Sequence, residues 1–256
     1  MTENGSIPQS LVAFFEDNPR PALAFSGGAD STYLMYVCSE LDVDVVPLFA
    51  KGPFQSEDEI SRVTDLSHSF GYDVSIIDVD PLSDGRITRN DSDRCYHCKR
   101  MIFSAISELA GSEGRYVMDG TNASDDLGDR PGMRALSEMG IRSPLRECGI
   151  TKAQVREYSR LAGLPTWDLP SNSCLATRIP TGTAITLESL RKVDSAEKEL
   201  RSIGLKDFRV RIAGSGARLE TIPSQKDILE SDRRRIEEIL LKYFDNVTYG
   251  ERKPSL

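Results

Sequence analysis

The chain has 256 residues, of which 39% are hydrophobic and 28% charged, and its formal net charge is -8. This composition predicts a folded protein with a sizeable core, arranged as one large domain or two smaller ones. The negative charge argues against a nucleic-acid partner, because phosphate backbones attract basic surfaces. The N-terminus lacks the basic start and apolar run of a signal peptide, and no stretch approaches the ~18 apolar residues of a membrane helix. We therefore expect a cytoplasmic protein without a membrane partner.

Short apolar strands alternate with amphipathic helices in the first two thirds of the chain. This order predicts the α/β class, with a Rossmann-like parallel sheet covered by helices on both faces. In chain order, the predicted strands are 22–25, 45–50, 74–79 and 116–119, and the predicted helices are 31–41, 56–71, 99–110 and 151–162. Thr151 is the expected N-cap of the last of these helices.

Residues 164–182 contain three prolines and show no clean periodicity, which indicates a long functional or linking loop. Beyond this loop we predict helices at 187–203 and 227–243 and strands at 208–212, 218–222 and near Val247. We place a domain boundary near residue 170. The prediction is a larger α/β domain over 1–170 and a smaller α+β domain over 171–256.

The segment Ser26-Gly27-Gly28-Ala29-Asp30-Ser31 connects the first predicted strand to the first predicted helix. Two glycines allow a tight turn that brings backbone amides close to an anion, and the helix N-terminus adds positive potential. Ser26 and Ser31 add hydroxyl donors, and Asp30 is a candidate Mg²⁺ ligand. The segment therefore predicts a phosphate site. The alternative is an ordinary turn in which Asp30 and Ser31 cap the helix.

A second polar segment, 119–125, follows the fourth predicted strand. Open α/β sheets bind ligands at the carboxyl ends of their strands, so this segment is placed to meet the same ligand as the glycine turn. Its candidate binding residues are Gly120, Thr121, Asn122 and Asp125.

Two arginines in the predicted second domain, Arg209 and Arg211, point to the same face of a strand because side chains alternate along it. Paired guanidinium groups suit a nucleotide phosphate, and the alternative is a solvated edge strand with ordinary surface arginines. Arg178 lies four residues after Cys174. It is a candidate for balancing phosphate charge near the sulfur, or for a salt bridge within the loop.

The segment from Ser26 to Ser31 resembles the loop of the PP-loop ATP pyrophosphatases, which cleave ATP to AMP and pyrophosphate. A series of further motifs resembles the LarE family of ATP-dependent sulfur transferases, which make the nickel-pincer nucleotide cofactor of lactate racemase. These motifs, in order, are 119–125, 129–132, 140–145, 173–180, 209–211 and 217–220. The resemblance extends from about Phe25 to Glu220. It implies that residues 1–170 form a PP-loop ATP pyrophosphatase domain and that residues 171–256 form a domain for substrate binding or oligomerisation.

The resemblance to the LarE family implies a small-molecule nucleotide substrate, pyridinium-3,5-biscarboxylic acid mononucleotide. Its carboxylate would be adenylylated by ATP, and sulfur would then replace the activated oxygen. Substrate binding is implied for Arg178, Arg209, Arg211 and Glu220. Glu197 matches a carboxylate that can hold a cation in the family, and is otherwise a solvated residue on a helix face. The resemblance also implies a homo-oligomer such as a hexamer.

The source of the sulfur depends on the cysteines. In the best-known family mechanism, the cysteine at the position of Cys174 donates its own sulfur and is left as dehydroalanine. This sequence departs from that pattern, because it also contains the pair Cys95 and Cys98 at the start of a predicted helix. Three thiolates favour a [4Fe–4S] cluster with one open iron that binds sulfide, as in a branch of this family. Structural zinc is disfavoured because a fourth suitable ligand is not evident.

Other interpretations stay open at this point. The cysteine pair is alternatively a redox dithiol with lowered thiol pKa, or two unrelated residues. We expect Cys38 to be a small buried hydrophobe, and Cys148 has no identifiable partner. Competing functions are an amide-forming ligase, a tRNA-thiolating enzyme and a nucleotide-binding redox sensor. The sequence does not identify the sulfide source.

Overall fold

The computed structural model describes residues 5–125, 131–171 and 173–252. The chain forms two compact units. The first comprises Met1–Gly52, Glu59–Asp80 and Cys95–Ser171, and the second comprises Pro53–Asp58, Pro81–Arg94 and Asn172–Leu256. The second unit therefore contains two short segments from the N-terminal half of the chain. The predicted boundary at residue 170 assigned both segments to the first domain. Residues 129 and 130, which begin one of the family motifs, lie outside the described residues.

The first unit is built on a four-stranded parallel sheet, within the part of the chain that the structure describes, with the strand order β3-β2-β1-β4. Its strands are β1 (Pro21–Ala24), β2 (Val46–Lys51), β3 (Ser75–Asp78) and β4 (Tyr116–Met118). The longer helices in this part of the chain are α1 (Gln9–Asp17), α2 (Ala29–Glu40), α3 (Glu57–Ser69), α5 (Arg94–Ser112), α6 (Pro131–Glu138) and α8 (Lys152–Leu161), and α7 (Pro144–Glu147) is a single turn.

Helices cover both faces of this sheet because neighbouring residues on a strand point in opposite directions. Leu23 of β1 belongs to a buried cluster that also contains residues of α2 and α8. Its neighbour Ala22 belongs to a second cluster, which contains residues of α5 and α6. The predicted fold class, a Rossmann-like parallel sheet between helical layers, is confirmed.

The second unit has a smaller sheet in which β5 (Phe208–Ala213) pairs antiparallel with β6 (Gly216–Thr221), and β6 pairs parallel with β7 (Val247–Glu251). Its described helices are α4 (Gly85–Thr88), α9 (Leu187–Ser202), α10 (Lys226–Ser231) and α11 (Arg233–Leu240). None of the helices described in either unit combines the length and apolar character needed to cross a bilayer.

Several boundaries differ from the predicted ones. The single helix predicted at 227–243 is wrong, because Asp232 leaves the helical conformation between α10 and α11, with φ -107° and ψ 15°. Helix α5 begins at Arg94, five residues before its predicted start at residue 99, so its first turn contains both Cys95 and Cys98. The predicted loop 164–182 contains a short 3₁₀ turn, Leu175–Arg178. The sequence patterns did not identify α1, α4, α6 or α7.

The predicted cap of α8 is present as a capping box. Gln154 N donates to Thr151 Oγ1, and the side chain of Gln154 accepts from Thr151 N. We expect Thr151→Ala to lower the free energy of unfolding by about 1 kcal/mol, because it leaves a helix-terminal amide without its acceptor. Chemical denaturation measures this change. Thr151→Ser, which keeps the hydroxyl, is the control, and equal losses in both variants would contradict the role of the cap.

Candidate functional site

The two polar segments predicted to bind ATP meet at one edge of the parallel sheet. Strands β1 and β4 are neighbours, with Leu23 opposite Met118, so the loops after them leave the sheet side by side. A cavity of about 290 Å³ lies at this carboxyl edge. Seven predicted ATP-site residues contribute to its wall, namely Ser26, Gly28, Asp30, Ser31, Gly120, Thr121 and Asp125. ATP binding by these residues stays a prediction.

Glycine is required where these loops approach other backbone. A Cβ atom on Gly120 would lie 3.1 Å from the backbone nitrogen of Ser31 and 3.1 Å from Asp30 Cβ. Gly27 has a φ of +65°, and a Cβ there would lie 3.0 Å from a methyl group of Val63. A side chain at Gly120 would crowd the backbone of Ser31, and one at Gly27 would be strained by its positive φ, so glycine lets the loop after β1 lie close both to the segment after β4 and to Val63.

The N-terminus of α2 opens without a side-chain cap. Its N-cap is Gly28, and neither Asp30 nor Ser31 supplies the capping hydrogen bond that the alternative interpretation expects. Ser31 Oγ instead lies 3.1 Å from Ser26 Oγ and donates to the carbonyl oxygen of Gly28. The first amides of a helix carry partial positive charge, so this arrangement is suited to an anionic ligand.

Asp30 is paired with a lysine that the sequence analysis did not single out. Lys152 Nζ lies 2.5 Å from Asp30 Oδ2, and Asn122 Nδ2 donates to Asp30 Oδ1 over 3.3 Å. Burial raises the pKa of Asp30 above its ordinary value, and the ammonium group of Lys152 partly offsets that shift. A Mg²⁺ ion at Asp30 would compete with Lys152 for the carboxylate, so the magnesium role stays a prediction.

A second overlooked lysine, Lys99, contributes to the cavity wall one residue after Cys98. A Cβ on Gly132 would lie 3.2 Å from Lys99 Cδ and 3.7 Å from Cys95 Cβ, so α6 packs closely against this part of α5. The sequence carried a signal for both lysines, because Lys99 directly follows the cysteine pair and Lys152 directly follows the predicted cap Thr151. A cationic side chain there adds to the attraction of a polyphosphate.

The segment after β4 is held by its own polar side chains. Asp119 accepts from Thr121 Oγ1 at 2.6 Å and from Ser143 Oγ at 2.7 Å. Asn122 N donates to Asp125 Oδ2, and Asn122 Oδ1 accepts from Ser124 N. These bonds use most of the local donors within the loop, and they fix its backbone beside the glycine turn.

A larger cavity, of about 510 Å³, lies at the opposite edge of the same sheet, beside Pro19 and Asp44. These residues precede β1 and β2 and therefore mark the amino ends of the strands. Open α/β sheets bind ligands at the carboxyl ends, and none of the predicted site residues contributes to this larger cavity. We assign the function to the smaller one.

The cysteines occupy different settings. Cys95 is exposed and Cys98 is partly exposed, and both lie in the first turn of α5 at a spacing of three, which places them on one helix face. Cys174 is partly exposed at the N-cap of the 3₁₀ turn in the second unit. Cys38 is fully buried in the core, as predicted, and Cys148 Sγ donates to the carbonyl oxygen of Ser10.

In the residues that the structure describes, no group of three or more His, Cys, Asp or Glu side chains is gathered as a metal site. The cysteine pair alone supplies two thiols of the kind that iron–sulfur clusters use, and Cys174 belongs to the other unit. The three-cysteine cluster therefore stays a prediction.

A buried ion pair holds the turn that follows Cys174. Arg178 is only 2% exposed, and its Nε and Nη2 atoms donate to the two oxygens of Glu197 at 2.9 and 3.0 Å. Glu197 Oε2 also accepts from Arg201, and Glu197 Oε1 accepts from Val210 N. The interpretation of Glu197 as a solvated helix-face residue is wrong, because it is fully buried.

These contacts also bear on the ligand roles implied for the pair. Arg178 does form a salt bridge, the kind of contact proposed as its alternative role, but its partner Glu197 lies on α9 and not within the loop. Its burial leaves little surface for direct contact with a substrate. Both carboxylate oxygens of Glu197 already accept hydrogen bonds from guanidinium groups. These groups supply the positive charge that a bound cation would otherwise provide. Substrate binding by Arg178 and cation binding by Glu197 stay predictions that this geometry does not favour.

Arg209 and Arg211 lie on the same face of β5, and each also contacts the turn after Cys174. Arg209 hydrogen bonds to Ser173 Oγ, and Arg211 Nη1 donates to the carbonyl oxygen of Thr177 at 2.6 Å. Arg211 Nε pairs with Glu220 at 2.6 Å. Both arginines are half-buried, so the alternative of a fully solvated edge strand does not describe them.

Positive charge is concentrated around Arg209. Burial lowers its pKa to about 10, and the neighbouring charges of Arg178, Arg252 and Arg211 contribute to the shift. Like charges held together in a folded protein are relieved by an anion. The second unit therefore presents a candidate site for a phosphate or carboxylate group.

We expect Glu197→Ala to lower the free energy of unfolding by about 3–5 kcal/mol, because it leaves the buried guanidinium of Arg178 without its countercharge. Denaturant titration measures this loss. Glu188→Ala is the matched control on the same helix, since its pair with Lys192 is exposed, and it should cause no measurable change. A Glu197→Ala variant as stable as the control would show that the ion pair is not needed.

Comparison with known proteins identifies three relatives. No protein-family model matches the chain. An uncharacterised protein of Synechocystis sp. is 38% identical over 220 residues, which cover 85% of this chain and 82% of that protein. An uncharacterised protein of Methanocaldococcus jannaschii is 31% identical over 237 residues, which cover 92% of this chain and 88% of that protein.

The third relative carries a functional name. The pyridinium-3,5-bisthiocarboxylic acid mononucleotide synthase of Lactiplantibacillus plantarum is 35% identical over 216 residues, which cover 82% of this chain and 78% of the synthase. Identity at this level over most of both chains establishes common family membership. The chain belongs to the LarE family, the family of that synthase.

Proposed function

We propose that this chain is an ATP-dependent sulfur transferase that acts on pyridinium-3,5-biscarboxylic acid mononucleotide. The name of the Lactiplantibacillus plantarum relative supports a pyridinium thiocarboxylate as the product. The observation that carries the ATP-dependent step is the uncapped N-terminus of α2 beside the cavity at the carboxyl edge of the sheet. This arrangement suits a polyphosphate better than a neutral ligand.

The proposed binding mode assigns the phosphates of ATP to the glycine loop. The amides from Gly28 to Ser31 and the hydroxyls of Ser26 and Ser31 donate to the phosphate oxygens. Lys99 and Lys152 add positive charge at the wall and rim. Asp30, a carboxylate that reaches the cavity, is the proposed ligand of Mg²⁺, which would screen the phosphate charge.

The proposed reaction has two group transfers and no net oxidation. A carboxylate oxygen of the substrate attacks the α-phosphorus of ATP, the bond to the bridging oxygen breaks, and pyrophosphate leaves. Sulfur at the oxidation level of sulfide then attacks the carbonyl carbon of the acyl adenylate. AMP leaves with the original carboxylate oxygen, and the substrate retains a thiocarboxylate. The N-terminus of α2 and the two lysines stabilise the negative charge that develops on the phosphates.

We propose that the cationic face of β5 binds the phosphate of the substrate nucleotide. Support comes from the crowding of Arg209 with three other arginines, which an added anion would relieve. Glu220 pairs with Arg211 and holds its guanidinium on that face. We therefore propose that Glu220 contributes to substrate binding by orienting the guanidinium group of Arg211. We also propose that the chain forms a homo-oligomer, as the family resemblance implies.

For the sulfur we propose a [4Fe–4S] cluster held by Cys95, Cys98 and Cys174. Such a cluster, when bound, supplies an iron without a cysteine ligand on which sulfide can be carried. The support is the chemistry of the donors, two thiols on one face of the first turn of α5 and a third partly exposed thiol in the second unit. The sacrificial use of Cys174 is the competing proposal.

The adenylylation step is tested with a pair of glycine variants. We expect Gly120→Ala to lower pyrophosphate release about tenfold or more in the presence of ATP and pyridinium-3,5-biscarboxylic acid mononucleotide, because the added methyl group would lie 3.1 Å from the backbone nitrogen of Ser31 and the two loops must shift to accept it. Gly111→Ala is the matched control, since its Cβ points into open space, and it should keep wild-type activity. A coupled pyrophosphate assay and mass spectrometry of the nucleotide product measure both steps. Wild-type protein that releases no pyrophosphate with this substrate would reject the proposed function.

The cluster is tested by iron and acid-labile sulfide analysis after anaerobic purification. We expect about four irons and four sulfides per chain, and a large loss of both in Cys95→Ala. That variant should still form AMP, because the ATP-binding residues do not include Cys95. Cys148→Ala is the control thiol and should retain its iron. A wild-type chain that lacks iron and loses the mass of hydrogen sulfide from Cys174 during turnover would establish the sacrificial mechanism instead.

A further inference from the structure

Asn90 is a buried residue in a backbone conformation that most side chains avoid. It is 1% exposed and has a φ of +61°, in the left-handed region. Only glycine, asparagine and aspartate adopt this conformation readily. Asn90 belongs to the segment Pro81–Arg94, which is far in sequence from the rest of the second unit. Neither the sequence motifs nor the proposed chemistry uses it.

The side-chain amide of Asn90 donates to the loop that follows Cys174. Its Nδ2 atom lies 3.3 Å from the carbonyl oxygen of Ile179, 2.8 Å from that of Pro180 and 3.1 Å from that of Thr183. Two amide hydrogens are thus shared among three backbone acceptors. The backbone of Asn90 adds a fourth bond, because its carbonyl oxygen accepts from Gly182 N.

Arg94 extends this arrangement toward Cys174. Its Nη1 atom donates to Asn90 Oδ1 at 2.5 Å and to the carbonyl oxygen of Ala176 at 3.1 Å. The amide oxygen of Asn90 is thereby held, so its NH₂ group must point at the loop. Ala176 lies two residues after Cys174, and Arg94 is the residue that precedes Cys95.

The loop from Cys174 to Thr183 depends on such outside bonds. It contains one short 3₁₀ turn and no regular ladder, and Pro180 has no amide hydrogen to donate. Other backbone bonds hold its ends, from Leu175 N to the carbonyl oxygen of Phe54 and from Ile185 N to that of Thr88. Asn90 is the residue whose side chain satisfies three carbonyls in the middle of the loop.

We propose that Asn90 is a positioning residue for sulfur transfer, which holds the loop from Cys174 to Thr183 so that the sulfur of Cys174 is fixed in place. The proposal rests on the proposed function for its catalytic consequence. Its structural basis, the three carbonyl contacts and the bond from Arg94, is independent of the substrate. Asparagine is the one residue type that combines tolerance of a positive φ with two amide hydrogens.

Asn90→Gly removes the side-chain amide, and glycine still adopts the positive φ of this position without strain. The variant therefore reports the loss of the side-chain hydrogen bonds alone. Asn90→Asp keeps the shape and the acceptor for Arg94, but places an oxygen against three carbonyl oxygens. The matched control is Asp42→Gly, which replaces another non-glycine residue of positive φ, 53°, in the first unit.

The first readout is amide hydrogen exchange of the peptide 173–185 in the full-length protein. We expect exchange to rise about tenfold or more in Asn90→Gly, and further in Asn90→Asp, while the strands β5 and β6 keep their protection. Asp42→Gly should leave this peptide at wild-type protection. Unchanged exchange of the peptide in Asn90→Gly would overturn the proposal.

The second readout is the ratio of pyrophosphate released to thiocarboxylate formed. We expect Asn90→Gly to adenylylate the substrate with a KM for ATP within about twofold of wild type, but to raise the ratio about tenfold, because a misplaced sulfur leaves the acyl adenylate to water. General destabilisation would lower both products together and leave the ratio constant. A constant ratio despite increased exchange would contradict a positioning role.

The failure of the proposed function is distinguishable from the failure of this proposal. If wild-type protein releases no pyrophosphate, the proposed function fails. The role of Asn90 is then tested by measuring the rate at which iodoacetamide alkylates Cys174 in the reduced, iron-free chain. An altered alkylation rate in Asn90→Gly, with Asp42→Gly at the wild-type rate, supports the placement of Cys174 by Asn90. Equal rates in all three proteins overturn it.

Discussion

The close approach of two loops at the carboxyl edge of the parallel sheet determines what the first unit can do. The loop after β1 and the segment after β4 come together where Gly120 offers only hydrogen atoms to the backbone of Ser31. That contact places Asn122 against Asp30 and leaves the first turn of α2 without a side-chain cap. A methyl group at 120 would crowd the backbone of Ser31, and the two loops beside the cavity would have to shift to accept it.

Charge is handled differently in the two units. In the first, Asp30 and Lys152 neutralise each other at the edge of the cavity. In the second, Glu197 neutralises the buried Arg178 and also accepts from Arg201, while Arg209 remains among like charges that lower its pKa. The first arrangement is a single ion pair beside the cavity, whereas the second gathers several arginines around Arg209.

Much of the first unit was predictable because its signals are local. Apolar strands followed by amphipathic helices indicated a parallel sheet between helical layers, and the glycine turn lies at a cavity, as expected for a loop at the carboxyl edge of the sheet. The lysines at 99 and 152 were missed because each lies in an ordinary helix start, and only folding brings it to the cavity. The break at Asp232 was missed because the apolar spacing on both sides of it continues in the same period.

The second unit was harder to predict because its key contacts join distant parts of the sequence. In the sequence, Glu197 is indistinguishable from the other charged residues of an amphipathic helix. Its burial depends on a salt bridge with Arg178, and Arg178 lies in a loop without periodicity. Asn90 carries no motif of its own, and its role depends on carbonyl groups that lie about 90 residues further along the chain. Hydrophobic patterning predicts which apolar residues are buried. It does not predict which polar residues are buried with them, or which groups those polar residues contact.

The central claim is that a carboxylate of the substrate is activated by transfer of AMP at the glycine loop. It is tested most directly with pyridinium-3,5-biscarboxylic acid mononucleotide carrying ¹⁸O in its carboxylates. The account predicts that each thiocarboxylate formed is accompanied by AMP that contains one ¹⁸O atom in its phosphate. Label found in inorganic phosphate or pyrophosphate, or AMP without label beside a thiolated product, would contradict it.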